Sequence, residues 1–126
     1  MNKLNIEPVK QSRISIEVSD VSSGIGVGFV GDIDMQDPGE ILDPIFDKIH
    51  NGCMAQGIKE VDLDFKKLSF LNSSGIKAIA KWIMKLADLA EDKKYVIKIL
   101  HNREITWQAT SLPTLTFLVP GAVKVE

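Results

Sequence analysis

Apolar and polar residues alternate in two segments near the start of the chain, residues 14–18 and 25–29. A period of two is typical of strands that bury one face, so both segments are predicted to be strands. The stretch between them, residues 19–24, is rich in serine and ends in glycine, which favours a turn. We therefore predict a hairpin whose second strand ends near residues 31–34.

A helical pattern replaces the alternation after this hairpin. Asp37, Pro38 and Glu40 predict a helix start, as N-cap acceptor, first-turn proline and capping-box glutamate. Pro44 interrupts the pattern, because a proline ring inside a helix removes a backbone hydrogen bond and clashes with the preceding turn. We therefore expect a kink at Pro44, or a helix that begins only at Asp43. The apolar residues of this stretch share one helical face: Ile41, Leu42, Ile45, Phe46 and Ile49.

The rest of the chain alternates between strands and helices. Residues 61–65 predict a third strand, and a loop over Lys66–Asn72 is expected to follow it. After this loop, apolar residues that recur at intervals of three and four from Ile76 to Ala90 predict an amphipathic helix. The last predicted elements are a strand over residues 95–100, a short helix that Asn102 caps and Pro113 closes, and a strand over residues 123–125.

This order of elements predicts an α/β fold, with a central mixed sheet of four to five strands and helices packed on it. The later strands are expected to be parallel and joined by right-handed helical crossovers. The carboxyl ends of parallel strands meet at one edge of such a sheet, where binding sites collect. Functional residues are therefore expected in the loops that follow the strands.

The composition is that of a globular protein. Of the 126 residues, 44% are hydrophobic and 25% are charged, so the chain can bury one core and shows no bias towards disorder. We therefore expect a single domain over residues 1–126. The mixed polar residues at its start leave room for a flexible N-terminal extension over residues 1–12.

Charge and residue types argue against several classes of function. The 15 basic and 17 acidic side chains give a net charge of −2, which provides no field to attract nucleic acid. Cys53 is the single cysteine, and His50 and His101 are far apart, so neither a disulfide, a metal site nor another cofactor is expected. Polar residues interrupt residues 1–13, so we predict neither a signal peptide nor direct membrane insertion, and we expect a cytoplasmic protein.

The candidate site is the loop before the amphipathic helix, where Asn72, Ser73, Ser74 and Gly75 stand together. Local structure alone can explain them, because Asn72 or Ser73 can cap the helix and Gly75 lets it pack closely on the sheet. A phosphate on a serine here would also be tolerated, because the free N–H groups and the positive end of the helix dipole favour negative charge. Spacing alone leaves both interpretations open.

Three segments of the chain resemble a known family. Gly31-Asp32-Ile33-Asp34 resembles the family's Gly-Glu-Leu-Asp, Val61-Asp62-Leu63-Asp64-Phe65 resembles its third strand, and Phe70-Leu71-Asn72-Ser73-Ser74-Gly75-Ile76 resembles its Phe-Met-Asp-Ser-Ser-Gly-Leu. On these motifs, the span from Ile14 to Val125 is similar to a STAS domain, the module of bacterial anti-sigma-factor antagonists. The resemblance implies a STAS-like fold for the predicted α/β sheet.

The resemblance also implies a phosphorylation switch. In the antagonist family the first serine of the motif is phosphorylated by an anti-sigma factor that is also a serine kinase of the Bergerat ATP-binding type. A PP2C-type phosphatase removes the phosphate. The corresponding residue here is Ser73. The resemblance therefore implies a binding protein without enzymatic activity, in a bacterial partner-switching pathway that regulates transcription, with a partner surface at Asp34, Asn72, Ser73, Ser74, Gly75 and Lys77.

One residue departs from the family motif, since Asn72 stands where antagonists usually have aspartate. Asparagine keeps the capping oxygen and lacks the negative charge beside the phosphoacceptor. The missing charge reduces repulsion of an incoming phosphate, but it can also remove a contact that the kinase reads. In the second case the domain would bind its partner without being modified.

Asp34 ends the segment that resembles the family's Gly-Glu-Leu-Asp. The resemblance implies that Asp34 lies near Ser73, at the same end of the sheet, and contributes to the partner surface. The alternative is that Asp34 and its neighbour Asp32 are exposed strand-end residues that cap a turn.

Lysines recur along one face of the amphipathic helix, at Lys77, Lys81 and Lys85. Such a ridge is either a solvated face or, on a docking surface, a set of charges that steers an acidic partner. Trp82 flanks the ridge and is either a partly exposed anchor for a partner or, as the favoured interpretation, a core residue. Core packing is also expected for Trp107, on the predicted short helix.

Two alternatives belong to other classes of function. STAS domains also occur in transport assemblies, so a non-phosphorylated subunit of a membrane-associated ABC-type lipid transport complex is the main alternative. Neighbouring genes distinguish this subunit from the phosphorylation switch, because genes for a kinase and a PP2C-type phosphatase favour the switch and ABC-transporter genes favour the subunit. An enzyme with Ser73 as nucleophile would need an adjacent base, yet neither histidine lies in a motif that places it there, and the G-x-S-x-G motif is absent.

Overall fold

The computed structural model describes residues 2–11 and 13–126, which contain one mixed sheet of six strands. The strands lie side by side in sequence order, antiparallel from β1 to β3 and parallel from β3 to β6. The predicted α/β fold with a central mixed sheet is therefore confirmed. The strands are β1 (Val9–Lys10), β2 (Ile14–Val21), β3 (Gly24–Ile33), β4 (Glu60–Leu71), β5 (Val96–Leu100) and β6 (Val123–Val125).

Helices connect the parallel strands. Helix α1 (Gly39–Gln56) joins β3 to β4, α2 (Ser73–Lys85) leads from β4 towards β5, and α3 (Thr106–Ser111) continues into a 3-10 helix (Leu112–Phe117) before β6. Right-handed crossovers that advance in one direction place these helices on the same face of the sheet. The strands accordingly bury alternate side chains towards that face, as in Ile14, Ile16 and Val18 of β2.

The strand that the sequence did not predict is β1, whose two residues are too few to show alternation. The chain before it packs onto the fold, since Ile6 is buried in the core. The side-chain amide of the buried Asn2 donates to the carbonyl oxygens of Ile6 and Val18 at 2.8 and 2.9 Å. Met1 and Ser12, which also belong to the expected extension over residues 1–12, lie outside the described residues.

Helix α1 differs from its prediction at its start and at its proline. The N-cap is Pro38, and no side-chain hydrogen bond caps the helix, so the predicted capping box is wrong. The backbone carbonyl of Asp37 instead accepts from the Glu40 N–H at 3.3 Å. Pro44 lies inside the helix, which starts at Gly39, so the alternative of a helix that begins only at Asp43 is wrong. Because Pro44 and Glu40 are both exposed, water can bond the Glu40 carbonyl that the proline leaves without an N–H donor.

Strand β4 runs through almost all of the predicted loop Lys66–Asn72 and ends only at Leu71. Its pairing with β3 shifts register twice, between Gly28 and Val30 and between Gly31 and Asp32 on β3. These irregularities change the spacing of the buried residues of β4 to three: Phe65, Leu68 and Leu71. A strand with that spacing cannot be recognised by a period of two.

Helix α2 ends earlier than its predicted apolar pattern, which extends to Ala90. It begins at Ser73, directly after the Asn72 cap, and ends at Lys85, where a 3-10 turn over Leu86–Asp88 follows. Ala87 and Ala90, which extended the predicted pattern, are exposed. An alanine has so little apolar surface that its recurrence does not decide which face is buried.

An aromatic cluster joins α1, α2 and the start of β5. Trp82 is 1% exposed and stacks on Phe46 with ring centroids 4.6 Å apart, which confirms its expected core position. The Trp82 indole N–H donates to the Tyr95 hydroxyl at 2.8 Å, and that hydroxyl lies 2.7 Å from Nδ1 of His50. With Nδ1 of His50 unprotonated, the Tyr95 hydroxyl can donate to His50 while it accepts from the indole.

The free energy of unfolding should decrease as the pH falls below about 6.5, because of His50. Burial lowers the pKa of His50 from 6.5, and Lys85 adds to this effect while Asp47 opposes it. Between the folded-state pKa and 6.5, the unfolded chain therefore binds more protons, so the free energy of unfolding rises with pH in that window. In urea denaturation at about pH 5 and pH 7.5, His50→Gln is expected to lose less stability in acid than the wild type. Equal acid losses would contradict this assignment.

Candidate functional site

The carboxyl ends of β3 and β4 meet at the start of α2 and bring two predicted site segments together. Ile33 and Leu71 are paired at the ends of these strands, and the Asn72 N–H donates to the Ile33 carbonyl at 3.0 Å. The following residues, Asp34 on one side and Asn72 on the other, are therefore neighbours across one strand spacing, about 5 Å, and Ser73 comes directly after Asn72. We call Asp34 and residues 72–75 the α2 corner.

Asn72 holds the α2 corner with both ends of its side-chain amide. Its Oδ1 accepts from the Gly75 N–H at 2.8 Å, which caps α2. Its Nδ2 donates to the carbonyl oxygen of Met35 at 2.8 Å, which ties the loop after β3 to the helix start. An aspartate could make the first bond but has no donor for the second. Asparagine therefore has a structural function in this chain that the sequence interpretation did not foresee.

Ser73 and Ser74 are the first two residues of α2, and both are exposed. Gly75 beside them is buried, and a Cβ atom built on it would lie 2.3 Å from Cδ1 of Leu71. The expectation that Gly75 permits close packing is therefore confirmed. The corner therefore exposes two serine residues to solvent. Its backbone is fixed by the Asn72 cap and by the close packing of Gly75 on Leu71.

Asn72→Asp is expected to lower the free energy of unfolding by about 1–2 kcal/mol, because a carboxylate would face the Met35 carbonyl without a donor. The favourable charge at a helix start offsets only part of that cost. Chemical denaturation would measure the loss. Asn102→Asp is the matched control, since in the described residues Asn102 uses only its side-chain oxygen, which accepts from the Glu104 N–H at 3.0 Å. Equal effects of the two variants would contradict this account.

Arg13 is a site residue that sequence reasoning missed. Its guanidinium contacts the carboxylates of Asp32 at 3.0 Å and Asp34 at 3.3 Å. These two pairs raise the pKa of the Arg13 guanidinium, first through the hydrogen bond to Asp32. Only the register of β2 on β3, with Ile14 opposite Gly31, brings Arg13 to this edge. No local pattern signals such a contact, because it depends on the strand pairing.

The lysine ridge of α2 divides into paired and solvated members. Lys81 contacts Asp43 of α1 at 3.3 Å, and Lys85 is bonded to Asp47 of the same helix. The hydrogen bond from Lys85 lowers the pKa of Asp47. Lys77, one turn after Ser73, is exposed. Two of the three lysines therefore connect the helices, and Lys77 is the member best placed to meet a partner at the α2 corner.

An apolar and aromatic flank lies on the strand side of the corner. Phe70, the residue before the last of β4, is 47% exposed. Trp107 is partly buried and packs against the hydrophobic core from its periphery, and its indole N–H donates to the Ser69 carbonyl at 2.8 Å. The carbonyl that Trp107 binds belongs to the neighbour of Phe70, so both side chains lie at the end of β4.

Gln108 holds the irregular part of β4 that leads to the corner. Its side chain is fully buried, and Nε2 donates to the carbonyl oxygens of Phe65 at 2.6 Å and Leu68 at 2.8 Å. Its Oε1 accepts from the Asn102 N–H at 2.7 Å. Phe65 and Lys66 have no partner in the pairing with β3, which passes from Asp64 to Lys67, and Gln108 satisfies the carbonyls of Phe65 and Leu68 at this irregularity. Gln108 was not identified as a site residue from the sequence.

Groups suited to covalent or metal chemistry lie elsewhere. His50 is bonded to Tyr95, and His101 contacts the Glu126 carbonyl through Nδ1 at 2.7 Å, so neither ring serves Ser73 as a base. Cys53 is buried, and burial raises the pKa of its thiol to about 11. Within residues 2–11 and 13–126, no group of three His, Cys, Asp or Glu side chains could hold a metal ion.

Among the described residues, no helix combines the length and the apolar character needed to cross a bilayer.

The fold is shared with regulatory proteins of known structure. An anti-sigma factor antagonist from Mycobacterium paratuberculosis is 19% identical, with a TM-score of 0.57, over 92% of this chain and 90% of that chain. A chain in the structure of the diguanylate cyclase SiaD in complex with its activator SiaC from Pseudomonas aeruginosa is 17% identical, with a TM-score of 0.66, over 95% and 98%. The anti-sigma factor antagonist SpoIIAA in its unphosphorylated form is 16% identical, with a TM-score of 0.58, over 88% and 87%.

No protein-family model and no curated protein sequence matches the chain. At identities of 16 to 19%, the structural likeness establishes the fold. The predicted STAS-like fold is confirmed, and the chain has the architecture of anti-sigma factor antagonists.

Proposed function

We propose that the protein is a binding protein of the partner-switching type, without catalytic activity, whose switch is phosphorylation of Ser73. One observation carries the proposal: Ser73 is the exposed first residue of α2, directly after the cap that Asn72 forms. A kinase can reach this hydroxyl without unfolding the helix. The motif around Ser73, which resembles the phosphorylation motif of anti-sigma-factor antagonists, supports the same assignment.

The corner can accept a phosphate without loss of fold. A phosphoserine carries a charge of about −1.5 to −2, which the N–H groups and the dipole of a helix start tolerate. The phosphate therefore changes the affinity for the partner. A phosphate that is desolvated at an interface, or that faces acidic groups of the partner, weakens binding. A rigid corner of this kind can switch occupancy without a change of fold.

The partner surface that we propose comprises Asp34, residues 72–75 and Lys77, together with the exposed Phe70. It joins charged groups to an aromatic side chain, and interfaces commonly use an aromatic anchor within a polar rim. Asp34 follows Ile33, which pairs with Leu71 at the end of β4, and this common edge supports its interpretation as part of the surface.

The partners are proposed by class. The antagonist resemblance points to an anti-sigma factor with serine kinase activity of the Bergerat type, and to a PP2C-type phosphatase that restores the serine. The fold neighbours widen the range of outputs, since they include a structure of a diguanylate cyclase with its activator as well as anti-sigma factor antagonists. The controlled protein is therefore either a transcription regulator or a signalling enzyme.

Intact-mass analysis of the protein isolated from its native cells, with mapping of the modified residue, tests the proposal. We expect a fraction of the molecules to carry one phosphate, located on Ser73, and a PP2C-type phosphatase to remove it. A phosphate found consistently on another residue would overturn the assignment of Ser73. Protein without phosphate in every growth state examined would overturn the switch itself.

A further inference from the structure

The bridge formed by Asp32, Arg13 and Asp34 lies at the edge of the α2 corner. One guanidinium group contacts both carboxylates, at 3.0 and 3.3 Å. The backbone of Arg13 is fixed, because its carbonyl accepts from the Asp32 N–H at 2.8 Å. Gly31 allows this approach: its φ is +111°, and a Cβ there would lie 2.1 Å from the Arg13 oxygen. The side chain of Arg13 is, by contrast, 59% exposed.

The bridge and the phosphoacceptor are close through the strand pairing. Asp34 follows Ile33, whose carbonyl accepts from the Asn72 N–H at 3.0 Å, and Ser73 is the next residue. Asp34 and Asn72 therefore lie on adjacent chains, about one strand spacing apart, and Ser73 is one residue further along. Their backbones are thus within about one Debye length, about 10 Å at 0.1 M salt, so a charge on Ser73 is only partly screened from the bridge.

We infer that Arg13 reads the phosphorylation state of Ser73: it binds Asp32 and Asp34 when the serine is free, and turns to the phosphate when the serine is phosphorylated. This inference rests on the proposed function, because it assigns a response to the same phosphate. The exposed carboxylate pairs are weak, whereas a phosphate offers a doubly charged acceptor that a guanidinium fork can bind through two hydrogen bonds. The exchange breaks no covalent bond and needs only rotation of one exposed side chain.

The exchange changes the partner surface as well as the phosphate. With Arg13 on the carboxylates, its single positive charge balances one of the two negative charges of Asp32 and Asp34. Once Arg13 moves to the phosphate, both carboxylates are unpaired, and the negative charge extends from Ser73 along the end of β3. A partner that docks on Asp34 therefore meets a changed surface even beyond the modified residue.

A defined phosphoprotein tests this without any kinase. Phosphoserine is placed at position 73 by genetic-code expansion, and the pKa of the phosphate, ordinarily near 6, is measured by ³¹P NMR. We expect this pKa to be lower by about 0.5 in the wild-type background than in Arg13→Gln, because a nearby cation favours the dianion. Arg13→Lys should lie between them. Lys77→Gln is the matched control, an exposed cation one turn along α2, and should raise the pKa less.

A second measurement keeps the inference testable if Arg13→Gln folds poorly. The ¹⁵N shift of Arg13 Nε should move when phosphoserine is at position 73 and move less when it is at position 74. An equal phosphate pKa with and without Arg13, or a larger effect of Lys77→Gln, would overturn the inference. Because phosphoserine is supplied directly, these results do not depend on whether cells phosphorylate Ser73.

Discussion

Gln108→Leu is expected to lower the free energy of unfolding by about 3–5 kcal/mol, the largest loss of stability that we predict for a polar residue of this protein. The substitution leaves three backbone groups without their partner: the carbonyls of Phe65 and Leu68 and the Asn102 N–H. Gln108 is fully buried, so water cannot replace these bonds without opening the structure. Leucine fills the space but offers no donor or acceptor.

Urea denaturation followed by circular dichroism measures this loss. Gln36→Leu is the matched control, because it makes the same substitution at an exposed glutamine, where we expect a change within about 0.5 kcal/mol. If Gln108→Leu cost less than about 1 kcal/mol, the irregular part of β4 would not depend on Gln108 as the structure indicates. The phosphorylation rate of a folded Gln108 variant would then show whether the corner is still formed.

Ser73→Ala is expected to reduce phosphorylation by the cognate serine kinase to the level seen without the kinase. Alanine has no hydroxyl to accept a phosphate, while the exposed position means that stability should change by no more than about 0.5 kcal/mol. The measurement is the initial rate of phosphate incorporation with purified kinase. A stable variant with no incorporation would separate the chemical function of Ser73 from any role in folding.

Ser74→Ala is the matched control for this substitution, since Ser74 is the next residue of α2 and is also exposed. We expect it to be phosphorylated at a rate close to that of the wild type. Wild-type rates in Ser73→Ala, with a large loss in Ser74→Ala, would move the phosphoacceptor to Ser74. Unchanged rates in both variants would place it outside the α2 corner.

The elements that the sequence predicts well are those with a regular local signal. The alternation in β2 and β3 follows from one buried face, and the hairpin between them is confirmed, with Val21 opposite Gly24. The start of α2 was visible in the cap and glycine of its motif, and Asn72 does cap the helix. Each of these signals depends on residues within a few positions of each other, which is why it could be read without a structure.

The features that escaped prediction depend on residues distant in the chain. The length of β4 was hidden because register shifts against β3 space its buried side chains three apart. Arg13 reaches Asp32 and Asp34 only through strand pairing, and Gln108 reaches β4 across 43 and 40 positions. Polar residues with such partners look the same in sequence as solvated ones. The second bond of Asn72, to Met35, belongs to the same class.

The most direct test is calorimetric titration of the anti-sigma factor or other regulated partner with two forms of this protein, unmodified and carrying phosphoserine at position 73. The account predicts tight binding of the unmodified form, and an affinity at least about 100-fold lower for the phosphorylated form, at unchanged fold. Equal affinities for the two forms would contradict it, because the charge on this one exposed hydroxyl would then have no bearing on which protein is bound.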